Sequence, residues 1–176
     1  MYTGKAFFSN KTVVTVGALH QLDLTTLRNV AIAWHDEFAP LPKPLIVGNF
    51  GGPTSRCKYG IDLSKQLTTY LRGVLDSYGK PNPHMGHLAW ANAFIVTADS
   101  VSMLSEACST GKPIYVIGAD RCKWKFDEFH KTLRERGIVR PFIGLEDMSE
   151  SWSYPPLRAA TRVHEALYDR GWKLRP

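Results

Sequence analysis

The chain has 176 residues, 44% of them apolar and 22% charged, which allows one domain with a substantial core and excludes disorder over its whole length. Lys and Arg number 22 against 16 Asp and Glu, a net charge of +6 that favours anionic partners: phosphates, acidic protein surfaces or an anionic membrane face. The basic residues are dispersed and no zinc-finger or RRM-type signature accompanies them, so no nucleic-acid partner is expected.

Three cysteines, Cys57, Cys108 and Cys122, show no CxxC spacing and fit a reducing compartment better than a disulfide framework. His84 and His87 form HxxH with no carboxylate or thiolate at ligand spacing, and a helix-start or loop pair accounts for them better than a metal site. The opening MYTGKAFFSN is too short and polar for a secretory apolar region, and no apolar run approaches the ~20 residues of a membrane span. Membrane association, if any, is expected to be peripheral.

In chain order, the β-branched run TVVTVGA (12–18) predicts a first strand buried on both faces. Asp23 is placed to cap a helix with Leu27, Ala31, Trp34 and Phe38 on one face, ended by Pro40, Pro42 and Pro44. LIVGNF (45–50) is a second strand, running directly into Gly51, Gly52, Pro53, Thr54 and Ser55. A helix follows, with Leu67, Leu71, Val74 and Tyr78 on one face and Gly79 as its stop. After an irregular entry fixed by Pro81 and Pro83, residues 87–91 form a short helix and AFIVTA (93–98) a third strand. Residues 101–109 are helical. PIYVIG (113–118) is a fourth strand; Phe126, Phe129 and Leu133 mark another helix; residues 143–156 are a surface loop; Val163, Ala166 and Leu167 mark the last helix.

Strands alternating with helices predict an α/β fold with a Rossmann-like parallel sheet, whose working crevice lies beyond the carboxyl ends of the strands. Two segments lie there. In the first, Gly51 and Gly52 let backbone N–H groups approach a phosphate and Thr54 and Ser55 add hydroxyls, although a plain strand-to-helix turn would use the same glycines. In the second, Asp99 or Ser100 begins a helix whose N-terminus suits a diphosphate. Ser102, Ser105, Glu106 and Ser109 share one face of that helix, and Val101, Leu104 and Cys108 another. Glu106, about a turn in, is placed to accept both hydroxyls of a ribose; a solvated helix face is the alternative.

GALHQLD, PKPLIVGNFGGPTS, NPHMGHLAWANAFIVTADSVSMLSEACSTGKPIYVIG and WKFDEFHKTLRERGIVRPF resemble the plant elongated-mitochondria fission proteins and their bacterial relatives over nearly the whole chain, DSVSMLSEACSTGKP being the most specific run. The resemblance implies the carboxy-terminal half of a GT-B-like architecture, two Rossmann-like domains facing a cleft. Residues 1–40 would then be a remnant of the amino-terminal domain and linker, and residues 41–176 the carboxy-terminal domain. It also implies an internal gap near residues 79–80, where the family carries a further strand–helix–strand stretch. By the same resemblance Gly51, Gly52, Thr54 and Ser55 would line a nucleoside diphosphate or nucleotide sugar, Ser100 and Ser102 would cap it, and Glu106 would face the ribose.

The function implied is mitochondrial division at the cytosolic face of the outer membrane, or from the cytosol, as an adaptor that helps a dynamin-related GTPase localise there. Lys131, Arg134, Arg136 and Arg140 form a basic stripe available to such a partner. A glycosyltransferase-like role, inactive or incomplete in this chain, is the alternative. No cofactor, metal ligand set or catalytic residue is assigned.

Overall fold

The computed structural model describes residues 12–58 and 83–171. The helix expected around Leu67, Leu71, Val74 and Tyr78, its stop at Gly79 and the junction at Lys80, Pro81 and Asn82 lie outside the described residues.

The described elements are α1 (Leu24–Ala33), α2 (His35–Phe38), β1 (Ile46–Asn49), α3 (His84–Trp90), β2 (Ala93–Thr97), α4 (Val101–Cys108), β3 (Ile114–Ile117), a 3-10 turn (Ala119–Arg121), α5 (Lys125–Glu135), β4 (Val139–Pro141) and α6 (Ala159–Asp169). The strands form one parallel sheet in the order β1-β2-β3-β4, so the fold is α/β and Rossmann-like. The register pairs Val47 with Phe94, Phe94 with Ile114 and Ile114 with Val139. All four residues of β3 are buried, as a continuous apolar run covered on both faces requires. Among the described strands β1 and β4 lie at the two edges.

Two helix starts are fixed by side-chain caps. Asp23 accepts from the Thr26 N–H at 2.7 Å and opens α1, and Ser100 accepts from the Met103 N–H at 3.3 Å and opens α4. The helix expected to run on to Phe38 is two elements, broken at Trp34, whose ψ of 18° is not helical. Trp34 and Phe38 nevertheless both reach α3, where Gly86 leaves room for their rings. The Trp90 indole N–H donates to the Ala31 carbonyl at 3.0 Å, fastening α3 to α1.

Two strand assignments need correction. Residues 12–18 are not a strand: Gly17 sits at φ +84°, which breaks an extended run, and the Ala18 N–H donates to the Ser105 hydroxyl of α4 at 2.8 Å rather than to a neighbouring strand. Val16 still packs against the core, which is why the run is apolar. Conversely, Val139–Pro141 is a strand on β3; three residues ending in proline carry too little pattern to announce themselves. Residues 143–156 contain no regular element, as expected, but Trp152 and Tyr154 turn inward, Tyr154 donating its hydroxyl to the Lys112 carbonyl at 2.7 Å.

The core lies between the sheet and its helices and includes Phe94, Leu104, Ile114, Val116 and Leu133.

Candidate functional site

The carboxyl ends of the strands bring the two anticipated segments together. The Gly51 N–H donates to the Thr97 hydroxyl at 2.8 Å, tying the loop after β1 to the end of β2. A Cβ on Gly51 would fall 1.9 Å from a carboxylate oxygen of Asp99, so glycine is required here for close approach to a side chain. The same contact sets a carboxylate beside the expected diphosphate seat. At Gly52 a Cβ would meet nothing within 4 Å.

The hydroxyls are partly committed. Thr54 Oγ1 accepts from the N–H groups of Arg56 and Cys57 at 3.3 and 3.0 Å, and the Thr54 N–H donates to the Cys57 carbonyl at 2.9 Å, making a tight turn. Ser55 and Ser102 are exposed. Ser100 is the N-cap of α4, so its oxygen already serves the Met103 N–H. The face of α4 predicted from Ser102, Ser105, Glu106 and Ser109 is divided. Ser105 and Ser109 are buried, Ser109 bonding His20 Nε2 at 2.8 Å and lying 2.9 Å from the Leu157 carbonyl.

Glu106 is partly exposed, and its Oε2 lies 2.8 Å from His84 Nε2 at the start of α3. His84 and His87 thus occupy a helix start, as expected, but tertiary folding supplies the carboxylate that sequence spacing lacks. Burial, with a smaller contribution from the charge of His84, lowers the pKa of His87.

The cysteine expectation is corrected. Cys57 and Cys122, 65 residues apart, are joined by a disulfide, and Cys108 is a buried free thiol. The pairing arises because the loop after β1 meets the turn after β3 as an isolated antiparallel bridge, which no sequence spacing reveals. His130 on α5 completes a buried group: its donor atom and the two sulfurs all lie within 4.8 Å of one another. Its Nε2–H donates to the Ala98 carbonyl at 2.7 Å, Nδ1 has no partner among the described residues, and burial lowers its pKa.

Of the basic stripe, Lys131, Arg134 and Arg136 are exposed. Arg140 is engaged elsewhere, 2.6 Å from Glu150 and stacked over Trp152. At the opposite end of the sheet a cavity of about 560 Å³ is lined by Lys43, Trp90, Lys112 and Trp152 among others. No helix among the described residues is long and apolar enough to cross a membrane.

Residues 2–80 and 73–170 match the family described as Mitochondrial fission ELM1. An Arabidopsis thaliana protein named mitochondrial fission protein ELM1 is 55% identical over 201 residues, covering 93% of this chain and 47% of the relative. An uncharacterized protein of Rickettsia prowazekii, RP120, is 41% identical over 87 residues, 49% of this chain and 25% of that protein. The chain therefore spans less than half the length of either relative. No solved structure matches.

Proposed function

The chain belongs to the mitochondrial fission ELM1 family, and from that membership we propose that it acts in mitochondrial fission as a binding adaptor, helping to recruit a dynamin-related GTPase to the cytosolic face of the outer membrane. The observation that carries this reading is the 55% identity to the Arabidopsis fission protein along 93% of the chain. The exposed cations Lys131 and Arg134 on α5, with Arg136 just past its end, supply a surface for an acidic partner or headgroup. A peripheral attachment suits described helices that are too short or too polar to span a bilayer.

Binding is favoured over glycosyl transfer by the state of the inherited nucleotide groups. Asp99 places a carboxylate against Gly51, where a diphosphate would need positive potential, and Glu106 is held by His84 rather than open to a ribose. The GT-B-like ancestry accounts for the Ser100-capped helix and the paired glycines without requiring that either still binds a nucleotide. The 201-residue alignment is longer than the chain itself, and the family match falls in two runs meeting between residues 73 and 80. Both support the reading that a segment carried by relatives is absent near residues 79–80. Residues 1–40 as a remnant of the amino-terminal domain and interdomain linker, and 41–176 as a GT-B-like carboxy-terminal domain, remain part of this proposal.

Two measurements on the purified chain test it. Pull-down with the dynamin-related GTPase should retain the partner, and Lys131→Glu with Arg134→Glu should release it. Calorimetric titration with uridine diphosphate should give no binding tighter than about 1 mM, the weak end of specific recognition. Tight nucleotide binding lost in Glu106→Ala, without GTPase retention, would favour the transferase-like reading instead.

A further inference from the structure

Among the described residues, the loop after β1 is tied to the turn after β3 and the start of α5 by one covalent bond, one backbone hydrogen bond and the Arg56 guanidinium, which lies 4.8 Å from the centre of the Trp124 ring. The Lys123 N–H donates to the Arg56 carbonyl at 2.9 Å, and Gly51 is tied to Thr97. Residues 51–56 and Lys58 are exposed, while Cys57 between them is fully buried and Cys122 nearly so. The Cys57–Cys122 bond is thus the pin of an otherwise exposed segment.

Both oxidation states fit this place. Opposite the sulfurs stands the Ala98 carbonyl, 3.5 Å from Cys57 Sγ and 3.6 Å from Cys122 Sγ, and the Gly118 carbonyl lies 3.8 Å from Cys122 Sγ. If the bond is reduced, each new S–H has an acceptor waiting, so reduction leaves no buried donor unsatisfied. Cys108, the third thiol, is walled into the core and burial raises its pKa to about 12, which keeps it out of exchange.

We infer that Cys57 and Cys122 form a reversible dithiol–disulfide couple that fastens and releases the segment 51–58 at the carboxyl end of the sheet. A disulfide in a reducing compartment is characteristically a transient or sensing one. The cytosolic setting comes from the fission reading above; the couple itself stands on geometry. In the reductive direction a small dithiol supplies the electrons. Its thiolate attacks one sulfur and forms a mixed disulfide, and the other protein sulfur leaves as a thiolate that takes up a proton. The reagent's second thiol then displaces the remaining protein sulfur. Two electrons and two protons pass to the protein, and the dithiol becomes a cyclic disulfide. Because both sulfurs are buried, attack requires the segment to lift, so exchange is slow in the closed form.

The test uses the wild-type chain purified without reductant. Under denaturing conditions it should expose one titratable thiol, from Cys108, and three after dithiothreitol, with a mass gain of two hydrogens in between. Trypsin under native conditions should cut at Arg56 and Lys58 roughly tenfold faster in the reduced form, since proteolysis follows the population of the opened segment. Glutathione disulfide should restore both the thiol count and the protection. Cys57→Ser should be cut quickly with or without reductant, provided its circular dichroism matches the wild type. Three thiols in the unreduced protein, equal trypsin rates, failure to reoxidise, or stoichiometric zinc held by the reduced pair with His130 would each overturn the inference. None of these readouts involves the fission machinery, so a negative result here leaves the adaptor reading untouched.

Discussion

His84 Nε2 stands 2.8 Å from Glu106 Oε2, with the two side chains 32% and 29% exposed, so the carboxylate on α4 is engaged by the first residue of α3. A partly exposed pair of this kind is worth little, roughly 0.5–1 kcal/mol. A double-mutant cycle with His84→Ala and Glu106→Ala, read by urea unfolding at pH 6, should return a coupling of that size. A coupling indistinguishable from zero would mean that the pair does not hold Glu106 against a competing ligand.

Ser109 fastens α4 to two distant segments. Its oxygen bonds His20 at 2.8 Å and lies 2.9 Å from the carbonyls of Leu157 and Ser105, its single proton serving one of them at a time. Removing this buried hydroxyl leaves partners unsatisfied, so Ser109→Ala should cost about 1–3 kcal/mol. Ser102→Ala, on the exposed part of the same helix, should stay within about 0.5 kcal/mol. Equal losses in a denaturant titration would contradict the division of this helix face.

That division marks where the sequence was readable. Strands β2 and β3 and helix α4 follow from apolar runs and caps, because AFIVT and IYVI have no polar face to misplace and Ser100 stands directly before its helix. The run TVVTV carries the same signature, yet it packs on α4 instead of pairing, since Gly17 at φ +84° turns it away. Whether a β-branched run finds a strand neighbour is a tertiary fact. The site divides in the same way. The Gly51–Gly52 loop and the start of α4 do meet at the carboxyl edge, as the α/β topology requires. The contacts that decide their chemistry, Asp99 on Gly51, His84 on Glu106 and Cys57 on Cys122, join residues 22 to 65 apart or sit across two strands, where no local pattern registers them.

Gly86 in α3 faces Phe38 of α2 and Trp34 at the break between α1 and α2. A Cβ there would come within 2.7 Å of the Phe38 ring and 2.9 Å of Trp34. Helix propensity alone would favour Gly86→Ala by about 1 kcal/mol. Overpacking against two aromatic rings should reverse the sign and destabilise by roughly 1–3 kcal/mol. A gain in melting temperature would show that α3 does not pack on Phe38 as described.

Lys112 is largely enclosed, and its Nζ donates to the Ala89 carbonyl at 2.7 Å. Burial, and then repulsion from Lys43, lowers its pKa from 10.5 to about 8. Below pH 8 the amine is charged in both states and the folded chain bears the full burial cost. Between pH 8 and 10.5 the unfolded chain holds more protons, so this residue makes stability rise with pH. Lys112→Met lacks that rise. Its stability relative to wild type should therefore fall by on the order of 2 kcal/mol from pH 8 to 10.5. A pH-independent difference would place the amine in water.

If this chain promotes organelle division by binding, mitochondrial length reports it. The chain should be expressed in plant cells lacking their mitochondrial fission ELM1 protein, with the dynamin-related GTPase imaged on the same organelles. Shorter mitochondria and more GTPase foci on the outer membrane are expected, both retained in Glu106→Ala and both lost when Lys131 and Arg134 are changed to glutamate. Mitochondria that stay elongated, with the folded chain present at the level of the native protein, would contradict the adaptor reading.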